Sequence, residues 1–482
     1  MKAGVFVDRM ADGSPTKEFF VGMLTRDIEL SDAILDLLDN CLDGVVRQKK
    51  HIDKYSESNY YSGYYSHITI SDNRFIIEDN CGGIPLEVAE KYAFRMGRSS
   101  DKDDDLPTVG IYGIGMKRAI FKIGRSARVI TRNGDAIYKV TIPKGWASSE
   151  DAWNFPIENL NNTKELDGGG TRIEIEHINN GIAENWNTQD KMKDFIDRLI
   201  KAIEQSYSFI IQKGFQIKIN GEKVSALPIH LLMAHNEGGE AIQPFLYKKD
   251  FDDVHVSLAV GFYAPPPSPE DIDDENNLKR SSSDAGWTIV CNDRVVLYND
   301  KSHLTGWGEA GVPQYHTQFI GIRGIVIFES SNPKNLPMTT TKRGIDTSSD
   351  IYAAVKNQMR QGLKLFTDYT NRWKGQNNKE REYSKAAQRI EIKTLTGSKE
   401  EVERTNLVKF HSNNGALVFK PKLPKPPNDK PYRIISFSRG IEEIRDIIEY
   451  FYDDRTHPIT PSQIGEKCFD FVLKKAHDKK DE

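Results

Sequence analysis

Residues 31–48 read SDAILDLLDNCLDGVVRQ, and the rest of the chain is interpreted from this stretch. Ile34, Leu37, Leu38, Cys41 and Val45 recur at i, i+3, i+4, i+7 and i+11, which gives a helix one apolar face. Asp36, Asp39, Asn40 and Asp43 repeat the same spacing on another face, with no lysine interleaved before Arg47. Like charges three and four residues apart repel by roughly a few tenths of a kcal/mol per pair. One reading of the row is a solvated polar face. The other is a site for a hard cation such as Mg²⁺, which takes oxygen ligands and keeps water and phosphate around it.

Two further motifs follow within eighty residues. FIIEDNCGGIP (75–85) ends a β-rich run in Asp79, then Cys81, Gly82 and Gly83. An ordinary turn accounts for Asn and paired glycines. Alternatively, Asp79 accepts a hydrogen bond from an exocyclic amine such as that of adenine, and the glycines let a flat ring approach the backbone. TVGIYGIGMKRAIFKIG (108–124) places Gly110, Gly113, Gly115, Met116 and Lys117 at the opening of a helix. Glycines there expose N–H groups at the positive end of the helix dipole, a place for phosphate. The spacing fits neither the Walker loop nor G-x-G-x-x-G, and a glycine hinge is the competing reading. Just before it, GRSSDKDDDLPT (97–108) reads as a lid.

Working outward, the chain has 482 residues, enough for about three domains. Lys and Arg number 66 against 70 Asp and Glu, a net charge of −4, which excludes a globally basic nucleic-acid coat. The four cysteines form no CxxC pair and the eleven histidines no HExxH, arguing against a disulfide framework or zinc site. No apolar run approaches a membrane span, and MKAGVFVDRMADG lacks the core of a signal peptide, so a cytoplasmic protein with no membrane partner is expected. HITISDNRFIIE (67–78) predicts a hairpin, 86–96 and 116–123 helices, 126–132, 136–142 and 171–178 strands, and 188–210 a long helix. Further strands are expected at 215–224, 287–298 and 319–328 and a helix near 349–373. APPPSPEDIDDENN (264–277) reads as a loop and KPKLPKPPNDK (420–430) as an extended spacer. YRIISFSRGIEEIRDIIEYFYDD (432–454) predicts a strand and an amphipathic helix, with a last helix around Cys468.

Taken in order, DLLDNCLDG, EDNCGGI, GIYGIGMK and GGGTRIEIE (168–176) resemble the four nucleotide-binding boxes of the GHKL ATPases, the superfamily of DNA gyrase B, heat-shock chaperone ATPases, sensor histidine kinases, MutL and the MORC proteins. The lid, the glycine loop and FQIKINGEKV (215–224) look most similar to the MORC and MutL branch. The resemblance implies an α+β chain: an N-terminal arm (1–30), a Bergerat-type ATP-binding α/β sandwich (31–212), a transducer-like α/β domain (213–375), and a linker with a small C-terminal α+β module of unknown role (376–482).

The resemblance also implies roles. Asp36 polarises the attacking water, in place of the usual Glu, with Asp39 as the alternative base. Asn40 binds Mg²⁺. Asp79 recognises adenine and Gly83 packs on the ring, with Cys81 where glycine is usual. The N–H groups around Gly110, Gly113, Gly115 and Met116 hold phosphates, Lys117 either adds charge or is solvated, and Thr171 bonds the adenine edge or a water on Asp79. In NLPMTTTKRGID (335–346) Lys342, or alternatively Arg343, reaches the γ-phosphate. The implied activity is slow, Mg²⁺-dependent ATP hydrolysis with lid closure and homodimerisation through the arm. DNA or a partner protein on the C-terminal module and a role in prokaryotic antiviral defence belong to the same expectation. A non-hydrolysing ATP-gated scaffold is the alternative. A histidine-type kinase is disfavoured, because no phosphoacceptor hairpin precedes the boxes.

Overall fold

The acidic stretch folds as one helix, Leu30–Gln48, but not with a solvated face: Asp36, Asp39 and Asp43 are buried along with Ile34, Leu37, Leu38, Cys41 and Val45. The computed structural model describes residues 14–49, 57–96, 114–149, 153–160, 166, 168–235, 239–265, 284–339, 342–374, 376–404, 408–426, 435 and 438–479. The lid, Gly110 and Gly113, most of the 264–277 loop and most of the strand expected at 432–437 lie outside the described residues.

Helix α1 (Lys17–Arg26) and α2 (Leu30–Gln48) precede the hairpin of β1 (Tyr65–Ile70) and β2 (Arg74–Asp79), in which Ile68 faces Ile77. A short helix, α3 (Leu86–Val88), runs into a π turn, Ala89–Ala93. After it come α4 (Gly115–Ile123), β3 (Gly124–Asn133), β4 (Ala136–Ile142), β5 (Ile157–Asn159) and β6 (Gly170–Ile178). Helices α5 (Asn180–Trp186) and α6 (Gln189–Gln212) lead to β7 (Gln216–Ile219) and β8 (Glu222–Lys223). The eight strands form one sheet in the order β5-β4-β3-β6-β2-β1-β7-β8, antiparallel except where β1 meets β7. The apolar face of α2 joins Ile120 and Ile123 of α4, Leu199 and Ile203 of α6, and sheet residues such as Phe75, Ile173 and Ile175 in a single core.

This sheet moves the boundary expected at 212/213. The alternation in FQIKINGEKV does make a strand, but β7 pairs parallel with β1, and Ile217, Ile219 and Val224 belong to the first core. The described part of the N-terminal segment, residues 14–30, is likewise part of this body. Thr16 caps α1, Lys122 donates to the Thr25 carbonyl at 3.0 Å, and the Lys17 ammonium lies over the Trp146 ring at 4.6 Å.

A second sheet is built on β10 (Phe245–Phe251), β11 (Val254–Phe262), β12 (Gly286–Cys291), β13 (Arg294–Asp300) and β14 (Ile322–Ser330), covered by α7 (Asp350–Arg372). The β10–β11 hairpin was not foreseen from the sequence. Nor is 376–482 a separate module throughout. His411–Asn413 and Ala416–Phe419, as β16 and β17, extend this sheet through Leu246 opposite Phe419, giving the order β13-β12-β14-β11-β10-β17-β16. Gln388–Glu391, as β15, pairs with His230–Met233, as β9, and this ribbon packs over the other face with Ile392, Leu395, Val402 and Val408. Beyond the spacer, Ile441–Tyr452 and Pro461–Asp478 pack on one another, with Tyr450 and Phe451 edge-on to Phe471. Among the described residues no helix is long and apolar enough to cross a membrane.

The pairing of β7 with β1 is open to test. A fragment ending at residue 226 should unfold in urea as one cooperative transition. A fragment ending at 212, which strips β7 from the edge of β1 and loses the buried Ile217 and Ile219, should have a lower midpoint or fail to fold, at about 2–5 kcal/mol for a truncated core isoleucine. Equal midpoints would restore the boundary at 212/213.

Candidate functional site

The carboxylates of α2 are neutralised, but from other elements rather than from their own helix. Arg118, in the first turn of α4, brings Nε within 3.2 Å of Asp36 Oδ2, and its Nη2 bonds the same oxygen. Arg343 pairs with Asp32. Asp39, only 1% exposed, is surrounded: Tyr207 of α6 donates to Oδ1 at 2.7 Å, Arg294 of β13 reaches Oδ1 at 3.2 Å, and Lys342 reaches Oδ2 at 2.9 Å. The uncompensated row read as facing Mg²⁺ is therefore corrected. Asp39 is an ion-pair centre, leaving no role for it as the alternative base, and the Nδ2 of Asn40 is buried and hydrogen-bonds to nothing among the described residues.

Environment separates the two aspartates. Burial raises the Asp36 carboxyl above its ordinary value; Arg118 pulls it down and Asp39 pushes it further up. Burial also works to raise Asp39, but Lys342 and Arg294 outweigh it and hold Asp39 low, firmly as a carboxylate. A carboxyl moved toward neutrality suits proton abstraction, and one held ionised suits an anchor.

Strand β2 ends at Asp79, which sits opposite Thr171 of β6 and accepts from the Cys81 N–H at 2.8 Å. Thr131 of β3 ties this corner together: its Oγ1 donates to Gly170 O at 3.1 Å, lies 3.1 Å from Thr171 Oγ1 and accepts from Ile84 N at 2.8 Å. Burial pushes Asp79 up to about 6, against the Cys81 and Thr171 N–H groups, which lower it. Gly83 is required by its backbone: φ is +68°, and a Cβ would stand 2.1 Å from the Arg132 carbonyl oxygen. That carbonyl, rather than a ligand ring, is what Gly83 is placed against. Cys81 is buried over Gly44 of α2, whose Cβ would fall 2.4 Å from Cys81 O. Gly44 thus sets how closely the acidic helix passes the turn, and its signal was a glycine inside a helical pattern.

At the third motif, Gly115 and Met116 open α4 with no side-chain cap, and the first helical N–H with an acceptor in this helix is that of Arg118, on Ile114 O at 2.9 Å. Gly115 lies against α2: a Cβ there would be 3.4 Å from Asp36 Cβ and 3.5 Å from Oδ2. Met116 is half-buried against the first core. Lys117 is not a solvated charge. It is 1% exposed, donates to Ala93 O at 2.8 Å, and burial lowers it to about 8. Its bond fastens α4 to the π turn that precedes the lid sequence. The structure thus gathers Asp36, Asn40, Gly115 and Lys342 around α2, with Asp79, Gly83 and Thr171 at the turn beside it.

Lys342 arrives from the loop between β14 and α7. A bridge between Met338 and Ile345 closes that loop, and Lys342, at φ +56°, donates its N–H to Thr339 O at 2.9 Å. Sequence reasoning missed Arg118, Thr131, Tyr207 and Arg294. Arg118 stood beside Lys117 in the glycine motif; the other three carried no local signal.

Chemically, the cluster offers a helix start without a side-chain cap among the described residues, a carboxyl shifted toward neutrality, the Asn40 amide and a lysine from a second domain. Among the described residues, no group of three or more His, Cys, Asp and Glu is placed to hold a metal. A hard cation would take the Asn40 amide oxygen and complete its shell with phosphate and water. Residues 28–171 match the family described as Histidine kinase-, DNA gyrase B-, and HSP90-like ATPase. The match spans α2, the Asp79 turn and α4 and ends at Thr171, opposite Asp79, which supports a GHKL-type ATPase domain and suggests ATP binding. No curated protein matches the chain.

The raised Asp79 gives a pH signature. Between its unfolded value of 3.8 and its folded value of about 6 the native state holds a proton that the unfolded chain has lost. Stability from this group is therefore present below the lower value and lost as pH rises through the upper one. Urea midpoints of the wild type relative to Asp79→Asn should fall from pH 4 to pH 7. A difference independent of pH would mean that folding does not raise Asp79 above its unfolded value.

Proposed function

We propose that the chain binds Mg²⁺–ATP between α2, the Asp79 turn and the start of α4, and hydrolyses it slowly. The observation that carries the proposal is the contact of Lys342 with Asp39, which sets a cation from the second domain on the helix bearing Asp36 and Asn40. Asp79 and Thr171 take the adenine edge, and the N–H groups of Gly115 and Met116 take the phosphates together with Gly110 and Gly113. Asn40 holds Mg²⁺, which when bound offsets phosphate charge. Water attacks the γ-phosphorus as the bond to the β–γ bridging oxygen breaks. Asp36 accepts the water's proton, and ADP and inorganic phosphate leave. Nothing covalent passes through the protein, so catalysis is positioning and charge stabilisation. Lys342 reports the γ-phosphate to the second sheet through the loop into α7.

A second reading, an ATP-gated scaffold without turnover, is favoured by one contact: Arg118 on Asp36 neutralises an acid that is already one methylene shorter than glutamate. Phosphate release by the purified chain separates the two. The likeness to MORC and MutL proteins extends the proposal to ATP-dependent homodimerisation and to DNA, or a partner protein, in prokaryotic defence. The C-terminal hairpin, with Ile441, Tyr450, Phe469 and Val472 exposed, is the surface we assign to that partner.

Asp36→Asn should retain ATP binding in calorimetry and lose phosphate release by roughly 10²-fold or more. Asn40→Ala should lose both Mg²⁺-dependent affinity and turnover. Unchanged turnover in Asp36→Asn would remove Asp36 as the base.

A further inference from the structure

Asp39 is buried next to the site and, of the groups assigned to nucleotide, it touches Lys342. Its two oxygens are used differently. Oδ1 takes the fixed partners, Tyr207 at 2.7 Å and Arg294 at 3.2 Å. Arg294 is anchored further: Nη1 donates to Ser206 O at 3.2 Å and Val295 O at 2.9 Å, and its guanidinium carbon stands 4.3 Å from the Tyr207 ring centroid. Oδ2 takes Lys342, whose ammonium rides on a four-carbon stem from a loop. One side of Asp39 is thus locked by α6 and β13, and the other holds a cation able to leave.

We propose that Asp39 is a positioning residue that holds Lys342 in the nucleotide-free protein and yields it to the terminal phosphate of ATP, and that Arg294 sets how readily it does so. The inference rests on the ATP reading above. When Lys342 departs, Asp39 keeps Arg294 and Tyr207 and is not stranded as an unpaired buried charge. Without Arg294, Lys342 would be the only cation paired with Asp39 among the described residues and would be retained. ADP has no terminal phosphate to recruit the lysine, so the partition of Lys342 governs the preference for ATP over ADP.

The test uses the full chain, Mg²⁺, ADP and a β,γ-imido analogue of ATP, with both affinities measured by calorimetry. Asp39→Asn keeps an oxygen for Tyr207 and Arg294 but weakens the hold on Lys342; the preference for the ATP analogue over ADP should rise by about tenfold. Arg294→Gln should lower that preference by a similar factor. General damage to the fold would not shift the two variants in opposite directions. A third arm needs no nucleotide: a double-mutant cycle of Asp39→Asn and Lys342→Met on urea unfolding should be non-additive. A preference unchanged or lowered in Asp39→Asn, two variants shifting the same way, or an additive cycle would each overturn the proposal. If the wild type binds neither nucleotide, the switch falls together with the ATP reading. A coupled cycle would then locate the failure in that reading and not in the ion pair.

Discussion

A carboxylate sealed from water has to be matched by charge and hydrogen bonds, and meeting that demand at Asp39 ties this chain together. Its partners come from three places far apart in sequence: α6 of the first domain, the start of β13 in the second sheet, and the loop before α7. Removing one partner of such a buried pair costs about 3–5 kcal/mol, much of it from the charge left behind. Two more contacts run alongside. Lys213 and Tyr61 of the first domain reach Asp293, at 2.8 and 3.4 Å, and Arg343 reaches Asp32. The turn between β12 and β13 therefore sends both an acid and a base, Asp293 and Arg294, into the first domain.

Joining two domains through ions has a consequence that apolar packing would not. A greasy contact is indifferent to phosphate, whereas a lysine held by a carboxylate can be competed for by another anion. The placement of α2 makes this competition local. One helix carries Asp32, Asp36, Asp39 and Asn40, and each of the three carboxylates answers to a different cation, Arg343, Arg118 and Lys342 with Arg294. Asp36 already feels Asp39 and Lys342 through the buried medium between them, so charge arriving beside Asn40 would act on that pair.

What could be read from the sequence was what repeats locally. The period of α2, the β1–β2 hairpin, the helix after the glycine motif and the position of Lys342 in a loop all follow from neighbours within a few turns. Their partners do not. The carboxylate row looked uncompensated because compensation was sought at i±4, while Arg118 and Arg294 stand 82 and 255 residues away. The same limit misassigned FQIKINGEKV: its alternation specifies a strand, but not that β1 is its neighbour. It also hid the β10–β11 hairpin, whose turn at Asp252 and Asp253 follows a run with two lysines, and the return of 411–419 to the second sheet.

The departure from glutamate at Asp36 has a structural counterpart. A shorter acid reaches less far from its helix, so whatever it acts on must come closer to α2. Gly115 permits this. It begins α4 with only a hydrogen facing Asp36, at a point where a Cβ would already be 3.4–3.5 Å from the aspartate side chain. A methyl group there would sit in ordinary van der Waals contact with the aspartate, so the two helices already meet closely at this point. This close approach brings a carboxyl raised by burial next to the start of α4, which has no side-chain cap among the described residues.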